Sequence, residues 1–127
     1  MANPNIVNVT TILGNTSTIL ISSTADPFAT ALVSNAASSG KVYKINSIVV
    51  ANVDGTSAAD ISIKIFSLAA LGGTGTAIAS TISVPPDASL IVTDKTTSFY
   101  LLEDKSIGAT ASAANDIVVT CSWEEIN

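Results

Sequence analysis

Six carboxylates stand where the sequence could do chemistry. Asp54 and Asp60 flank one glycine-bearing loop, Glu103 and Asp104 share another, and Glu124 and Glu125 lie near the C-terminus. Calcium takes oxygen ligands of this kind, but from a loop with acidic residues at alternate positions, and no D-x-D-x-D-G run occurs. Glycoside hydrolysis needs two carboxylates held across a cleft, one with a raised pKa. No spacing here ties two of them together, and aspartate favours turns for a local reason, because its side chain bonds the backbone nearby. Gly72-Gly73-Thr74-Gly75 has the glycine density of a phosphate loop but lacks the Lys-Ser/Thr pair and the helix that should follow. Serines are plentiful, yet the chain has no histidine, so neither a conventional triad nor the commonest transition-metal ligand is available. Cys121 is the single cysteine; it can form no intrachain disulfide and reads as a small core residue. Trp123, Tyr100, Tyr43 and Phe99 could stack on a sugar if they shared an exposed face. Each of them also fits a core or interface position. The expectation is a protein without catalytic residues, metal or cofactor, and not an enzyme.

The charge balance narrows the partners. Five basic residues, all lysine, face ten acidic ones for a net charge of −5. Nucleic-acid binding needs clustered cations that displace counterions from phosphates, and this chain has none to cluster. Charged residues make up 12% of the chain against 47% hydrophobic, about half the charge of an ordinary soluble domain. Such a surface is either covered by partners or filled with neutral Ser, Thr and Asn, which abound here. No run of 18 apolar residues exists to span a membrane, and the start, MANPNIVNVTTIL, lacks the basic and apolar regions of a signal peptide. The length of 127 residues suits one domain over residues 1–127, with a loose arm at about residues 1–4.

What must position these residues is a series of strands. The organising stretch is Lys41 to Phe66, read as two long strands joined at Asp54-Gly55 into a hairpin. In the first, period-2 geometry puts Tyr43, Ile45, Val49, Ala51 and Val53 on one face. The other face carries Lys44, Asn46 and Asn52 beside Val42, Ile48 and Val50; dry over part of its length, it suits a strand central in a sheet or one whose second face meets another subunit. In the second strand Ile61, Ile63 and Ile65 face in while Asp60, Ser62 and Lys64 face out. Before this hairpin the sequence predicts strands over Asn5–Leu13 and Thr16–Ser23, separated by a Gly14-Asn15 turn, and a strand over Ala29–Ser34. After it come a glycine-rich loop carrying Leu68 and Leu71, then strands over Thr76–Val84, Ala88–Thr93, Ser98–Leu102 (apolar on both sides and expected buried), Ser106–Ser112 and Asp116–Ile126. The last of these lines one face with Ile117, Val119, Cys121 and Trp123. Turn signals every 8–12 residues with no long helix predict an all-β fold, a single antiparallel β-sandwich. Jelly-roll-like and immunoglobulin-like connectivities both fit. Ile48, Val50, Leu68, Leu71 and Trp123 are the candidate contacts to an oligomer or lattice.

Three segments carry a resemblance: GKVYKINSIVVANVDGTSAADISIKIF (40–66), SVPPDASLIV (83–92) and FYLLEDKSIGATASAANDIVVTCSWEEI (99–126). Together they resemble small structural proteins in the virions of tailed bacteriophages, over roughly residues 40–126. The resemblance implies a β-sandwich with an assembly role in the virion: a capsid decoration (cement) protein on the head lattice, or a part of the tail, neck or fibre. It implies self-association, with a homotrimer favoured at a three-fold axis, and contact with the major capsid protein or another virion protein. It carries over no catalytic residue. A carbohydrate-binding module for host recognition is the reading of another class.

Overall fold

The computed structural model describes residues 7–22, 24 and 30–127. The loose arm at residues 1–4, the start of the strand expected from Asn5, the break at Ala25-Asp26-Pro27 and the first residue of the strand expected from Ala29 lie outside them. The described residues form nine strands in order: β1 Ile12–Leu20, β2 Thr30–Asn35, β3 Val42–Asn52, β4 Ala59–Phe66, β5 Gly75–Val84, β6 Ser89–Thr93, β7 Phe99–Leu101, β8 Lys105–Ala111 and β9 Ile117–Ile126. Among the described residues the one helical piece is a 3-10 turn, Lys95–Thr97, capped by Asp94, whose carboxylate accepts from Thr96 N–H at 2.9 Å.

The strands form two antiparallel sheets. One has the order β1-β9-β3-β6, with β7 also paired to β3; the other has the order β2-β8-β4-β5. β6 pairs with Ile48–Ala51 and β7 with Tyr43–Ile45, so the two share one lane along β3, interrupted by the 3-10 turn. The chain crosses between sheets at nearly every step, which is the connectivity of a jelly roll and excludes the immunoglobulin-like alternative. The sandwich buries a single core whose largest members include Ile21, Ile45, Ile48, Ile61, Ile63, Leu101, Ile107 and Ile117.

The strands of the central stretch exist where the pattern puts them, but they do not form a hairpin. β3 lies in the first sheet and β4 in the second. A turn between paired strands would close a gap of about 5 Å; this connection must span the roughly 10 Å between layers. Asn52 holds the corner. It is almost fully buried, its Nδ2 donates to the carbonyls of Ser57 and Val84 at 2.9 Å each, and its Oδ1 accepts from Asp54 N–H at 2.9 Å. Asn35 does the same where β2 crosses to β3: its Nδ2 donates to Lys41 O at 2.9 Å and Leu101 O at 3.2 Å, and its Oδ1 accepts from Ser39 Oγ at 2.6 Å. Each buried amide ties its corner to a strand of the opposite sheet, satisfying carbonyls that would otherwise be stranded away from water.

A second difference is the face assignment along β3. Opposite β9, the register runs Ile45↔Trp123 and then Ser47↔Ser122, leaving Asn46 as a β-bulge. One extra residue reverses the parity of everything after it. Tyr43 and Ile45 point inward as expected, but beyond the bulge Ile48, Val50 and Asn52 are the inward residues, while Val49 and Ala51 face out. A third concerns Gly14-Asn15, which is no turn: β1 runs straight through it, paired with β9 from Ile12↔Ile126 to Leu20↔Val118 without a break. β1 is an edge strand with mostly exposed side chains, so backbone pairing alone can carry a glycine. In the segment Ser98–Leu102, only Leu101 is buried; Tyr100 is 45% exposed because it lies opposite Lys44 on the outer face, whereas Leu101 lies opposite the inward Tyr43.

Candidate functional site

The parity reversal removes two of the expected contact residues from the surface. Ile48 and Val50 are 0% exposed and belong to the core, where they pair beside Cys121 and Val119. A side chain sealed between the sheets cannot touch a second molecule. Trp123 also faces the core side: it is half-buried, packs against the core cluster, and stacks on Tyr43 with ring centroids 6.3 Å apart. Tyr43 is held by Glu125, and burial first, then that carboxylate, raises its phenol above the usual range. Lys41 reaches the same carboxylate at 3.7 Å. These aromatics therefore brace one end of the sandwich and do not join the exposed Tyr100 in a platform for a sugar.

Leu68 and Leu71 remain at the surface, on a loop that is both folded back and offered outward. Its backbone is clamped to the outer side of the second sheet. Ala69 N–H donates to Asp104 Oδ1 at 3.0 Å, Ala70 N–H to Ser34 Oγ at 2.9 Å and Leu71 N–H to Ser106 Oγ at 2.8 Å. The Ser106 hydroxyl in turn donates to Leu68 O at 2.8 Å, and Lys105 Nζ to Ser67 O at 2.9 Å. Ala70 and Leu71 sit at φ 55° and 62°, a left-handed conformation that costs an L-residue roughly 1–2 kcal/mol. Gly73 is required, because its φ is 73° and a Cβ there would overlap Ser67 Oγ. The clamp leaves Leu68 47% exposed and Leu71 partly covered, beside a shallow groove of about 280 Å³ lined by Ile65, Phe66, Ser67, Thr74, Thr76 and Lys105.

The larger exposed surface is one the sequence pattern did not identify, the outer face of the first sheet. Reading across β1, β9, β3 and β6, one row is Leu20, Val118, Ala51 and Ser89. The next is Thr18, Thr120, Val49 and Ile91, and the third is Thr16, Ser122 and Ser47. Leu20 is 47% and Ile91 61% exposed. None of these eleven positions carries a charge; charges come one row further, at Lys44 and Glu124 on one side and at Asp116 on the other. Thr16 and Ser122 hydroxyls lie 3.4 Å apart and those of Thr18 and Thr120 3.5 Å apart, so the polar members partly satisfy one another. The face is a broad, uncharged platform whose apolar residues, Leu20, Val118, Ala51, Val49 and Ile91, lie in its first two rows. The signal that could have found it is the mixed character of residues 48–51, read through the bulge.

Among the described residues, no group of three or more Cys, Asp or Glu side chains could hold a metal ion. Asp54 accepts from Thr56 through both its N–H and its hydroxyl, at 2.9 Å each, and Asp94 holds Thr96 in the same way. Those bonds keep both carboxyls below the usual range. Both are turn-forming aspartates. Glu103 is buried and its Oε2 accepts from Gly40 N–H at 3.2 Å. Burial pushes the Cys121 thiol up to about 12, so it is protonated and inert at neutral pH. Among the described residues, no helix is long and apolar enough to cross a membrane.

The chain matches no known family model and no curated protein sequence.

Proposed function

We propose that this protein is a non-enzymatic structural component of a bacteriophage virion, a capsid decoration protein that binds the head lattice and itself. The reading rests on the resemblance of segments 40–66, 83–92 and 99–126 to such proteins, and one structural observation supports it most. The outer face of the β1-β9-β3-β6 sheet presents eleven uncharged, mostly small or apolar residues on a backbone fixed by ladder hydrogen bonds. A lattice contact needs a flat, rigid surface that loses little entropy on docking and few charges to strip of water. Jelly rolls occur in capsid proteins, but also in lectins and cupins, so the fold alone decides nothing.

The test is binding of the purified protein to expanded heads of the parent phage that lack it, followed by sedimentation of the heads. The wild-type chain is expected to co-sediment. Ile91→Asp, which puts a charge into the platform without touching the core, is expected to weaken binding about tenfold, the equivalent of about 1.4 kcal/mol. Immunogold label on the tail instead of the shell would move the role to the tail, neck or fibre. Failure to bind any part of the particle would end the virion reading.

A further inference from the structure

The open edge of β1 is built to pair with itself. The end bonds of the β1–β9 ladder fix which way each backbone group points. Ile21 N–H donates to Ile117 O at 2.8 Å, and Thr11 and Asn127 exchange bonds at 3.3 and 3.0 Å. Hydrogen-bonded pairs alternate along an antiparallel ladder, and this register runs unbroken between those two pairs. The odd residues Leu13, Asn15, Ser17 and Ile19 therefore bond β9. The even residues Ile12, Gly14, Thr16, Thr18 and Leu20 aim their N–H and C=O groups away from it, and among the described residues β1 pairs with no other strand.

The other edges are blunted in the ways that natural sheets use. β5 has two register shifts and a left-handed Thr81 at φ 50°. β2 is six residues long with a shift at Leu32. The β6–β7 lane is interrupted by its 3-10 turn. β1 has nine residues, no charge, no proline and no bulge.

Its sequence, ILGNTSTIL, matches itself in reverse. Place a second copy antiparallel with the two-fold axis at Thr16. Then Ile12 meets Leu20 of the partner copy, Gly14 meets Thr18, and Thr16 meets Thr16. Every one of these pairs joins even residues, so all five outward-pointing residues of each copy find partners, about ten hydrogen bonds in all. Any other register leaves some of them unpaired. Leu13 and Ile19 meet on the other face. Apolar ends thus cover apolar ends, the middle pairs are small and polar with Thr16 facing Thr16, and the absence of charge on β1 means that two copies with a net charge of −5 each bring no like charges together along this line. The side of a two-layer sandwich along nine residues measures roughly 30 Å by 20 Å. Covering it buries about 600 Å² on each copy, about 1,200 Å² in total, enough for a specific interface.

We infer that the protein forms a two-fold homodimer through β1, joining its first sheet to that of a second copy as one continuous sheet. The row of Ser47, Ser122 and Thr16 then runs uncharged across the axis into the same row of the partner copy, while the Thr18 row meets Gly14 of the partner copy and, beyond it, the partner's Glu124. An isologous contact of this kind saturates at two copies, so it does not by itself build a three-fold ring. The inference stands on the edge alone and not on the virion reading.

Native mass spectrometry and amide hydrogen exchange on the full chain test it together. The expected result is a species of twice 12.8 kDa in which the amides of Gly14, Thr16 and Thr18 are protected as well as those of Ser17 and Ile19. Thr16→Pro removes an outward N–H at an edge position where proline is tolerated. It is expected to yield folded monomer in which the Gly14 and Thr18 amides exchange at least a hundredfold faster. Three results would overturn the inference: a monomer at the concentrations of the exchange experiment, an oligomer in which the even-numbered amides exchange freely, or protection of those amides in a species that stays monomeric. The last would mean that the chain covers its own edge. The wild-type measurements decide the matter even if Thr16→Pro fails to fold.

Discussion

Asn52→Asp is the sharpest probe of the corner that separates this fold from a hairpin. The substitution keeps size and shape and changes one NH₂ to an oxygen. That NH₂ donates to Ser57 O and Val84 O, each at 2.9 Å, in a site only 2% exposed. A protonated carboxyl can restore one of the two bonds, so at low pH the loss is about 1–2 kcal/mol. An ionised carboxylate restores neither, faces two carbonyl oxygens and is buried, which brings the total to about 4–5 kcal/mol. A domain of this size has about 5–15 kcal/mol in all. The folded state therefore holds the introduced proton to a higher pH than the unfolded chain does, where a carboxyl titrates near 3.9. Between those two pKa values the native state binds more protons, so stability falls as pH rises. Urea unfolding followed by the fluorescence of Trp123, the single tryptophan, should show a gap from wild type that is small near about pH 4 and widens towards neutral pH. Asn52→Leu should cost about 3 kcal/mol for its three lost bonds, equally at both pH values. A gap for Asn52→Asp under about 1 kcal/mol, or one that does not change with pH, would refute the account of the corner.

Three further outcomes follow from the same structure. Ile63→Ala should cost about 2–5 kcal/mol by urea unfolding, because the side chain is fully buried between the sheets and its removal leaves a cavity in the core; Ile63→Asp should prevent folding, as judged by circular dichroism. Cys121, with its thiol pushed up to about 12, should resist thiol reagents at mildly alkaline pH and react only at the rate of unfolding; rapid labelling of the native protein would show that the core is open there. Asp54 and Asp94 should titrate below ordinary aspartates by carbon-detected NMR, so their bonds support the fold above the ordinary aspartate pKa and are lost as pH falls through their own lower pKa values. Thr56→Val should bring Asp54 back towards its usual value and leave Asp94 where it is.

Much of this protein is legible in its residues one at a time. The alternation Ile61, Ile63, Ile65 marks β4 and its inner face, because a strand turns every second side chain the same way. Glycine, proline and aspartate locate the loops at 67–74, 85–88 and 94–98, because backbone preference is local. The lack of histidine and arginine and the lone cysteine follow from composition alone. For Leu68 and Leu71 the glycine-rich loop leaves two readings open, folded back as a lid or offered to a neighbour, and the sequence does not choose between them.

What only the folded chain decides is everything that depends on a partner strand. At Ile48, Val49, Val50 and Ala51 both parities are apolar, so the pattern cannot tell which pair is inside. The bulge at Asn46 makes that choice, and the bulge exists only opposite Trp123 and Ser122 of β9. Asn52 looks like one more polar residue on an outer face until Val84, thirty-two residues away, supplies the carbonyl it serves. Gly14-Asn15 has the composition of a turn, yet β9 holds it extended. Strand formation is governed by side-chain period, but strand pairing is governed by contacts distant in sequence, and those decide which face of this protein meets the outside.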